Sequence, residues 1–367
     1  MPEKTEVLKN KLSELQNEYS KTKYNKATDK HLGILRAKIA QVKRDMVEAS
    51  KKAHGQGFFV KKSGDATIAL IGFPNAGKSS LINLLANTRS KIADYAFTTL
   101  TVVPGTMVYR GAHIQIFDLP GLLLGAHSGK GGGNEVIAAA KSADLMVFVV
   151  SVEDVKALDV LMSELFYFDI KINKNPPNVQ ILETKRNIGI KIEMNKSKIP
   201  QNAIETILHS FGIYNAEVRI WDDVSEDEII SLMANRSKYV KAIVALNKVD
   251  LAEDHSYIAD QIKKKYSIEV VPISITRSLN IESLKESMYN NLNLMRVYLK
   301  PELKNEDATP MTLPKNSTVK EVARRLHTKL VNELKCAYVS GSSARFSNQR
   351  VGVEHILKDG DTITFIK

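Results

Sequence analysis

Residues Gly72 to Ser79 read Gly-Phe-Pro-Asn-Ala-Gly-Lys-Ser, the G-x-x-x-x-G-K-S spacing of a phosphate-binding loop. In such a loop backbone N–H groups converge on phosphate oxygens at a helix N-terminus, where the helix dipole also favours anions. Lys78 then reaches the β- and γ-phosphates, and the Ser79 hydroxyl takes a place on Mg²⁺. Phe73, Pro74, Asn75, Ala76 and Gly77 supply the curved backbone, and Ser80 follows as the next candidate contact.

A second motif selects the base. The apolar run Val240 to Leu246 delivers Asn247-Lys248-Val249-Asp250 at its carboxyl end, the edge at which open α/β sheets bind ligands. A carboxylate at Asp250 accepts from both N1–H and the exocyclic amine of guanine. Adenine presents an acceptor at N1 and would leave that carboxylate unpaired, so it is rejected. Asn247 addresses the other edge of the purine, and the Lys248 stem lies along the ring face. Ser274-Ile275-Thr276, after the run Ile268 to Ile273, offers a backbone N–H to the guanine oxygen. The nucleotide is read as GTP or GDP.

The phosphate-sensing residues come between these motifs. Asp118-Leu119-Pro120-Gly121 closes the run His113 to Phe117; the Asp118 carboxylate holds Mg²⁺ through water, and the Gly121 N–H approaches the γ-phosphate with no side chain intervening. Tyr95-Ala96-Phe97-Thr98-Thr99-Leu100-Thr101 brings a threonine hydroxyl to the Mg²⁺ shell, Thr99 being preferred over Thr98. After Gly121 stand Leu122-Leu123-Leu124, which can neither donate nor accept a hydrogen bond, where many regulatory GTPases place a water-orienting glutamine. Intrinsic hydrolysis should therefore be slow. Asn75 offers a carbonyl oxygen to a monovalent cation between the β- and γ-phosphates, as in potassium-activated GTPases; the plainer reading is that asparagine suits the turn. Catalysis is assigned to Asn75, Lys78, Thr99 and Gly121, with no side-chain base.

These residues need a sheet that presents its loops along one edge. The run Ala66 to Ile71 precedes the phosphate loop as a buried strand, Ser80-Leu81-Ile82-Asn83-Leu84-Leu85 continues it as a helix, and Leu145 to Val150 is a further strand. The expected class is α/β: a P-loop GTPase domain in two parts, 57–168 and 238–295, interrupted by a small α+β domain over 169–237. The insertion is read as a βαβ-like module similar to a domain type of ribosomal proteins. Val179–Leu182 and Ile190–Met194 form strands about an Asn187-Ile188-Gly189 turn, followed by a helix over Gln201–Phe211, a strand at Glu217–Trp221 and a helix capped by Ser225 and Glu228. Residues 1–56 form a basic helical hairpin, with Leu8, Leu12, Leu15 and Tyr19 facing Leu32, Leu35, Ile39, Val42 and Met46, and Gly55-Gln56-Gly57 as a hinge. The apolar faces of the hairpin are expected to pack on each other and on the GTPase domain. Residues 296–367 resemble a TGS domain, a small β-grasp, with a helix start at Ser317-Thr318 and Val319, Val322, Leu326 and Leu330 on one face.

The motifs together resemble those of the Obg superfamily: the phosphate loop, Tyr-Ala-Phe-Thr-Thr-Leu-Thr, Asp-Leu-Pro-Gly-Leu-Leu-Leu-Gly-Ala and Gly129-Lys130-Gly131-Gly132-Gly133. Within it, Asn25-Lys26-Ala27-Thr28-Asp29-Lys30-His31-Leu32-Gly33 and Lys62-Ser63-Gly64-Asp65-Ala66 resemble the DRG family, the developmentally regulated GTP-binding proteins, in an archaeal version. The likeness runs over essentially the whole chain. It implies a cytoplasmic GTPase using Mg²⁺, associated with ribosomes and translation, with ribosomal RNA and an accessory protein as partners and no DNA specificity. Asn75 departs from the serine common in eukaryotic members, which strengthens the potassium reading.

Composition agrees with this picture. With 367 residues and 43% hydrophobic content the chain can bury a substantial core, and its length suits about two to three domains. No apolar run approaches the roughly 18 to 20 residues that cross a membrane, and Met1-Pro2-Glu3-Lys4 opens no secretory segment. The single cysteine, Cys336, excludes an internal disulfide. The net charge of +11 attracts polyanions, and basic residues crowd the N-terminal segment from Lys21, Lys23, Lys26 and Lys30 through Arg36, Lys38, Lys43 and Arg44 to Lys51 and Lys52. Their outer faces, and Arg345, Phe346, Arg350 and Lys358 near the end, are either RNA contacts or ordinary solvated surface. Two functional classes remain: a GTPase switch cycling on the ribosome, and an RNA-binding assembly scaffold in which GTP is structural. An ATPase is disfavoured by Asp250.

Overall fold

The computed structural model describes residues 2–22, 29–53, 64–86, 88–89, 104–119, 139–184, 188–234, 237–300, 309–327, 330–331 and 334–366. The chain divides into two units, Met1–Phe59 with Leu165–Tyr239, and Val60–Glu164 with Val240–Lys367. The Gly55-Gln56-Gly57 hinge, Thr98, Thr99, Pro120, Gly121, the leucines at 122–124 and the glycine-rich run at 129–133 lie outside the described residues. So do Lys62 and Ser63 and residues 25–28 of the Asn25–Gly33 motif.

The two N-terminal apolar repeats form helices α1 (Pro2–Lys21) and α2 (Asp29–Ala53). They pack on one another, with His31 Nε2 3.1 Å from Glu18 Oε1 beside the connection. Leu32, Leu35 and Val42 are buried.

The nucleotide-binding unit opens with β1 (Ala66–Ile71), all of it buried, followed by α3 (Lys78–Leu85), β2 (Thr88–Arg89), β3 (Pro104–Tyr109) and β4 (Ala112–Asp118). Then come β5 (Leu145–Ser151), also buried throughout, and α4 (Ala157–Tyr167). Near-continuous apolar runs such as β1 and β5 mark strands covered on both faces of a parallel sheet.

The first unit resumes with β6 (Ile170–Ile172), β7 (Val179–Glu183), β8 (Ile190–Met194), α5 (Gln201–Ser210), β9 (Ala216–Ile220) and α6 (Glu226–Met233). The expected βαβ unit is present as β8–α5–β9, with β8 and β9 parallel. A hairpin of β7 with β8 about Gly189 is not: β9 lies between them, antiparallel to β7. The reason is burial. Ala216, Val218 and Ile220 alternate inward and are nearly inaccessible, which suits the central strand, whereas β7 and β8 keep only half-buried residues. Ser225 and Glu228 form the predicted capping box.

The hairpin closes on this module. Ala37 and Ala40 of α2 are buried in one core with Ile204, Ile207 and Leu208 of α5 and Ile229 and Ile230 of α6, small residues letting the helices approach closely. Arg36 donates to Glu226 at 2.8 Å and to Asp227 at 2.9 Å, in the first turn of α6 where the helix dipole favours acids. The sequence points to the GTPase domain as the surface that the hairpin covers. The surface it meets within its unit is the inserted module, and Arg36 is an internal pair rather than part of a solvated basic face.

The second unit continues with β10 (Lys238–Asn247), α7 (His255–Tyr266), β11 (Glu269–Pro272) and α8 (Ile281–Asn291). Strand order is β11-β10-β5-β1-β4-β3-β2. β11, β10, β5, β1 and β4 are mutually parallel, and β3 and β2 add antiparallel at one side. All five parallel strands therefore end on one edge, which carries residues 72–79, Asp118, Ser151, Asn247 and Ser274.

The last part is a mixed sheet of β12 (Leu294–Leu299), β13 (Thr309–Pro314), β14 (Cys336–Ser340), β15 (Gln349–Val351) and β16 (Thr362–Ile366), ordered β13-β12-β16-β14-β15, with α9 (Val319–Leu326) packed on it. Thr318 and Glu321 form a capping box, and Val319, Val322 and Ala323 reach the core. Leu326, the last residue of α9, is 41% exposed and leaves the predicted face, whereas Leu330 packs against the core as expected. Arg325 of α9 pairs with Asp65, whose second oxygen accepts from the His113 N–H at 2.8 Å.

Candidate nucleotide site

Two glycines fix the phosphate loop. A Cβ on Gly72 would stand 2.3 Å from the Val149 carbonyl oxygen of β5, so the loop can leave β1 against the sheet only without a side chain. Gly77 has φ +100° and a Cβ there would come within 2.5 Å of Asn247 Nδ2. Between them Asn75 adopts φ +65°, a left-handed conformation that asparagine tolerates better than most residues, and its side chain is exposed. Helix α3 then begins at Lys78 with no acidic residue in its first turn, leaving its N-terminal dipole available to an anion. Lys78 Nζ donates to the carbonyls of Gly72 at 2.8 Å and Phe73 at 3.0 Å, which holds the ammonium on the loop.

Ser79 and Asp118 meet across the gap between α3 and β4, Ser79 Oγ lying 3.4 Å from Asp118 Oδ2. Asp118 Oδ1 is buried with no hydrogen-bond partner among the described residues. Burial pushes this carboxyl above its ordinary value, and the Lys78 ammonium and the Ser79 hydroxyl pull it partly back. A partnerless buried carboxylate oxygen beside a hydroxyl is an all-oxygen donor set that fits Mg²⁺, which keeps several waters and takes few protein ligands. No cluster of three or more His, Cys, Asp or Glu occurs among the described residues. The predicted contributions of Thr99 and Gly121 fall outside the described residues.

The base motif is built on the adjoining strands. Asn247, 3% exposed, donates from Nδ2 to the Ala76 carbonyl at 2.9 Å and accepts the Ile275 N–H on Oδ1 at 3.3 Å. It therefore ties the phosphate loop to the segment after β11 with its carbonyl and one of its two amide hydrogens. The Ile275 N–H is likewise taken, and the Ser274 N–H bonds the Leu279 carbonyl at 3.3 Å. Of the three candidates for the guanine oxygen, the Thr276 N–H is left among the described residues. Asp250 holds its Oδ2 near the Thr276 hydroxyl and 3.8 Å from Arg277 Nε, while its Oδ1 is buried without a partner. The Ser274 hydroxyl, with further help from Arg277, keeps this carboxyl below its ordinary value, so it is an acceptor on both oxygens.

Lys248 takes φ +63°, and its ammonium sits 2.8 Å from Glu153 Oε2 in the loop after β5. Ser151, Glu153 and Arg277 belong to no sequence motif. The only trace of the first two was the polar ending of an apolar run, and nothing linear says that this ending lies beside Asn247.

An edge that carries a glycine-held phosphate loop, an aspartate and a hydroxyl facing one another beside it, and a second aspartate with one oxygen buried and without a partner among the described residues is the arrangement of a P-loop GTPase. Residues 67–185 match the family model of a 50S ribosome-binding GTPase, residues 186–294 that of the C-terminal region of the same domain, and residues 295–367 that of the TGS domain. An uncharacterized GTP-binding protein of Methanocaldococcus jannaschii is 39% identical over 363 residues, spanning 98% of this chain and 93% of its own. Human developmentally-regulated GTP-binding protein 2 is 37% identical over 363 residues, 97% of this chain and 98% of its own. GTP-binding protein 1 of Schizosaccharomyces pombe is 37% identical over 366 residues. The chain belongs to the family of developmentally regulated GTP-binding proteins.

Proposed function

We propose that this GTPase is a ribosome-associated switch in translation, with slow intrinsic turnover stimulated by potassium. The observation that carries the nucleotide site is the pair of buried, partnerless carboxylate oxygens on one sheet edge, Asp118 Oδ1 and Asp250 Oδ1. The first suits a hydrated divalent cation and the second a purine that donates from N1 and its amine, which guanine does and adenine does not. The loop Gly72, Phe73, Pro74, Asn75, Ala76 and Gly77 holds the phosphates through backbone N–H groups such as those of Asn75 and Gly77, Pro74 having none and the Ala76 N–H being donated to the Phe73 carbonyl at 3.3 Å, with Ser79 and Ser80 at the helix start. Lys78 bears on the β- and γ-oxygens and offsets their charge as the bond to the leaving phosphate lengthens. When bound by Ser79, Asp118 and Thr99, Mg²⁺ supplies further neutralisation of the same oxygens. Asn247 and Lys248 steady the base against Asp250, with Ser274 and Ile275 as the scaffold behind them.

Asn75 is the residue proposed for potassium. Its left-handed backbone and exposed side chain leave the amide carbonyl free to join a monovalent ion at the loop. Hydrolysis then leans on that ion and on Lys78, because Leu122 offers the attacking water nothing. Thr99 and Gly121 are the residues proposed to read the γ-phosphate.

The ribosomal role is supported by the name of the matched family model and by the net charge of +11, with RNA and an accessory protein as partners in the cytoplasm. Among the described residues no helix is long and apolar enough to cross a membrane. The hydrophobic Leu122 favours one other reading, an assembly scaffold that uses GTP as a structural ligand. Co-sedimentation with ribosomes in a GTP analogue and in GDP, at two salt concentrations, separates them. A switch pellets more with the analogue and less at high salt, and Lys78→Ala abolishes the difference. Equal pelleting in every nucleotide state and in Lys78→Ala would leave only the scaffold.

A further inference from the structure

We propose that Glu153 is a positioning residue of the nucleotide site, acting through Lys248 to hold guanine nucleotides; the inference rests on the guanine reading of Asp250 and Lys248 given above. The sheet itself brings the two residues together. Ser151, the last residue of β5, is in register with Asn247, the last of β10, and the Val152 N–H donates to the Asn247 carbonyl at 3.0 Å. Residues 151–154 are thereby fixed alongside the base motif.

The main chain of Lys248 is equally fixed. Its carbonyl accepts the Leu251 N–H at 3.0 Å, and the Val249 N–H donates to the Ile273 carbonyl at 3.2 Å. What remains to be set is the four-carbon stem. Glu153 Oε2 receives the ammonium at 2.8 Å, and the same oxygen accepts from the Ser151 hydroxyl at 3.2 Å. These contacts, the lysine first, keep the Glu153 carboxyl below its ordinary value. Glu153 and Lys248 line one cleft with Phe73, Pro74, Asn75 and Ala76 of the phosphate loop, so the ion pair anchors the end of the Lys248 stem beside that loop.

The physical reason for an effect on binding is preorganisation. A lysine stem carries large rotamer entropy, and a stem already anchored loses less of it when a base packs on it. The Lys248 and Glu153 side chains are 35% and 56% exposed, and pairs that open to water add little to folding stability. The role should therefore appear in nucleotide retention and not in the stability of the protein.

The test uses the full chain and GDP carrying a fluorescent reporter, with equilibrium affinity and release rate measured for Glu153→Gln, Glu153→Asp, Lys248→Met and the Glu153→Gln/Lys248→Met pair. Glu153→Gln should weaken GDP by about three- to tenfold, mainly through faster release. Glu153→Asp should recover part of the loss, the thermal midpoint without nucleotide should stay put, and Glu153→Gln should add nothing once Lys248 is Met. Unchanged binding, tighter binding, or an equal further loss in the Lys248→Met background would overturn the proposal. Asp250→Asn run in parallel keeps the two readings apart. If it loses GDP while Glu153→Gln does not, only the role of Glu153 falls; if neither variant changes GDP binding, the guanine reading falls with it.

Discussion

Asn247 and Ala76, 171 positions apart in sequence, are joined by a buried hydrogen bond of 2.9 Å from the asparagine amide to the alanine carbonyl. The same side chain accepts the Ile275 N–H at 3.3 Å, so the phosphate loop, the base motif and the segment after β11 form one bonded unit. Asn247→Ala leaves both backbone groups without that partner. It should lower unfolding free energy by about 1–3 kcal/mol and weaken GDP binding as well. Denaturant titration with and without GDP measures both, and an unchanged midpoint would contradict the bonding.

Asp250→Asn exchanges an acceptor for a donor at the oxygen that has no hydrogen-bond partner among the described residues. Guanine should then bind at least about a hundredfold more weakly, while xanthine, which carries a carbonyl in place of the exocyclic amine, should gain. Competition of GDP and XDP for the purified variant reads the exchange. Retained guanine preference would show that Asp250 does not select the base.

Gly77→Ala forces a side chain onto a residue at φ +100° and to within 2.5 Å of Asn247 Nδ2. The backbone strain alone is about 1–3 kcal/mol, and the Asn247 bridge must move as well. Loss of GDP binding, followed by calorimetry, is the expected result, together with a lower thermal midpoint. A variant that binds normally would mean that the loop relaxes without disturbing Asn247.

Asn75→Gly preserves access to the left-handed backbone at φ +65° while deleting the amide carbonyl. If that carbonyl serves a potassium ion, the native protein turns over GTP faster in potassium than in sodium at equal ionic strength, and the variant shows one rate in both. Steady-state phosphate release measures this. Equal rates in the native protein would remove potassium from the mechanism.

Much of the site was legible because its chemistry is local. Lys78 follows Gly77 and precedes Ser79 whatever the rest of the chain does, and the apolar run of β1 announces a buried strand before it. The capping boxes at Ser225 and at Thr318 were readable for the same reason: partners three residues apart meet on any helix start. The exposed end of α9 at Leu326 was not, since periodicity alone does not mark where a helix stops.

The sequence by itself determined the phosphate-loop, Asp118 and Asn247–Asp250 motifs and a parallel sheet that carries them along one edge. Tertiary structure decided what each of those groups touches. It placed β9 between β7 and β8, turned Ala37, Ala40 and Arg36 of α2 onto the inserted module, committed Asn247 to Ala76 and Ile275, and set Glu153 against Lys248. Each of these depends on which strand or helix becomes a neighbour of another, a choice made by burial over the whole chain and carried by no short stretch of it.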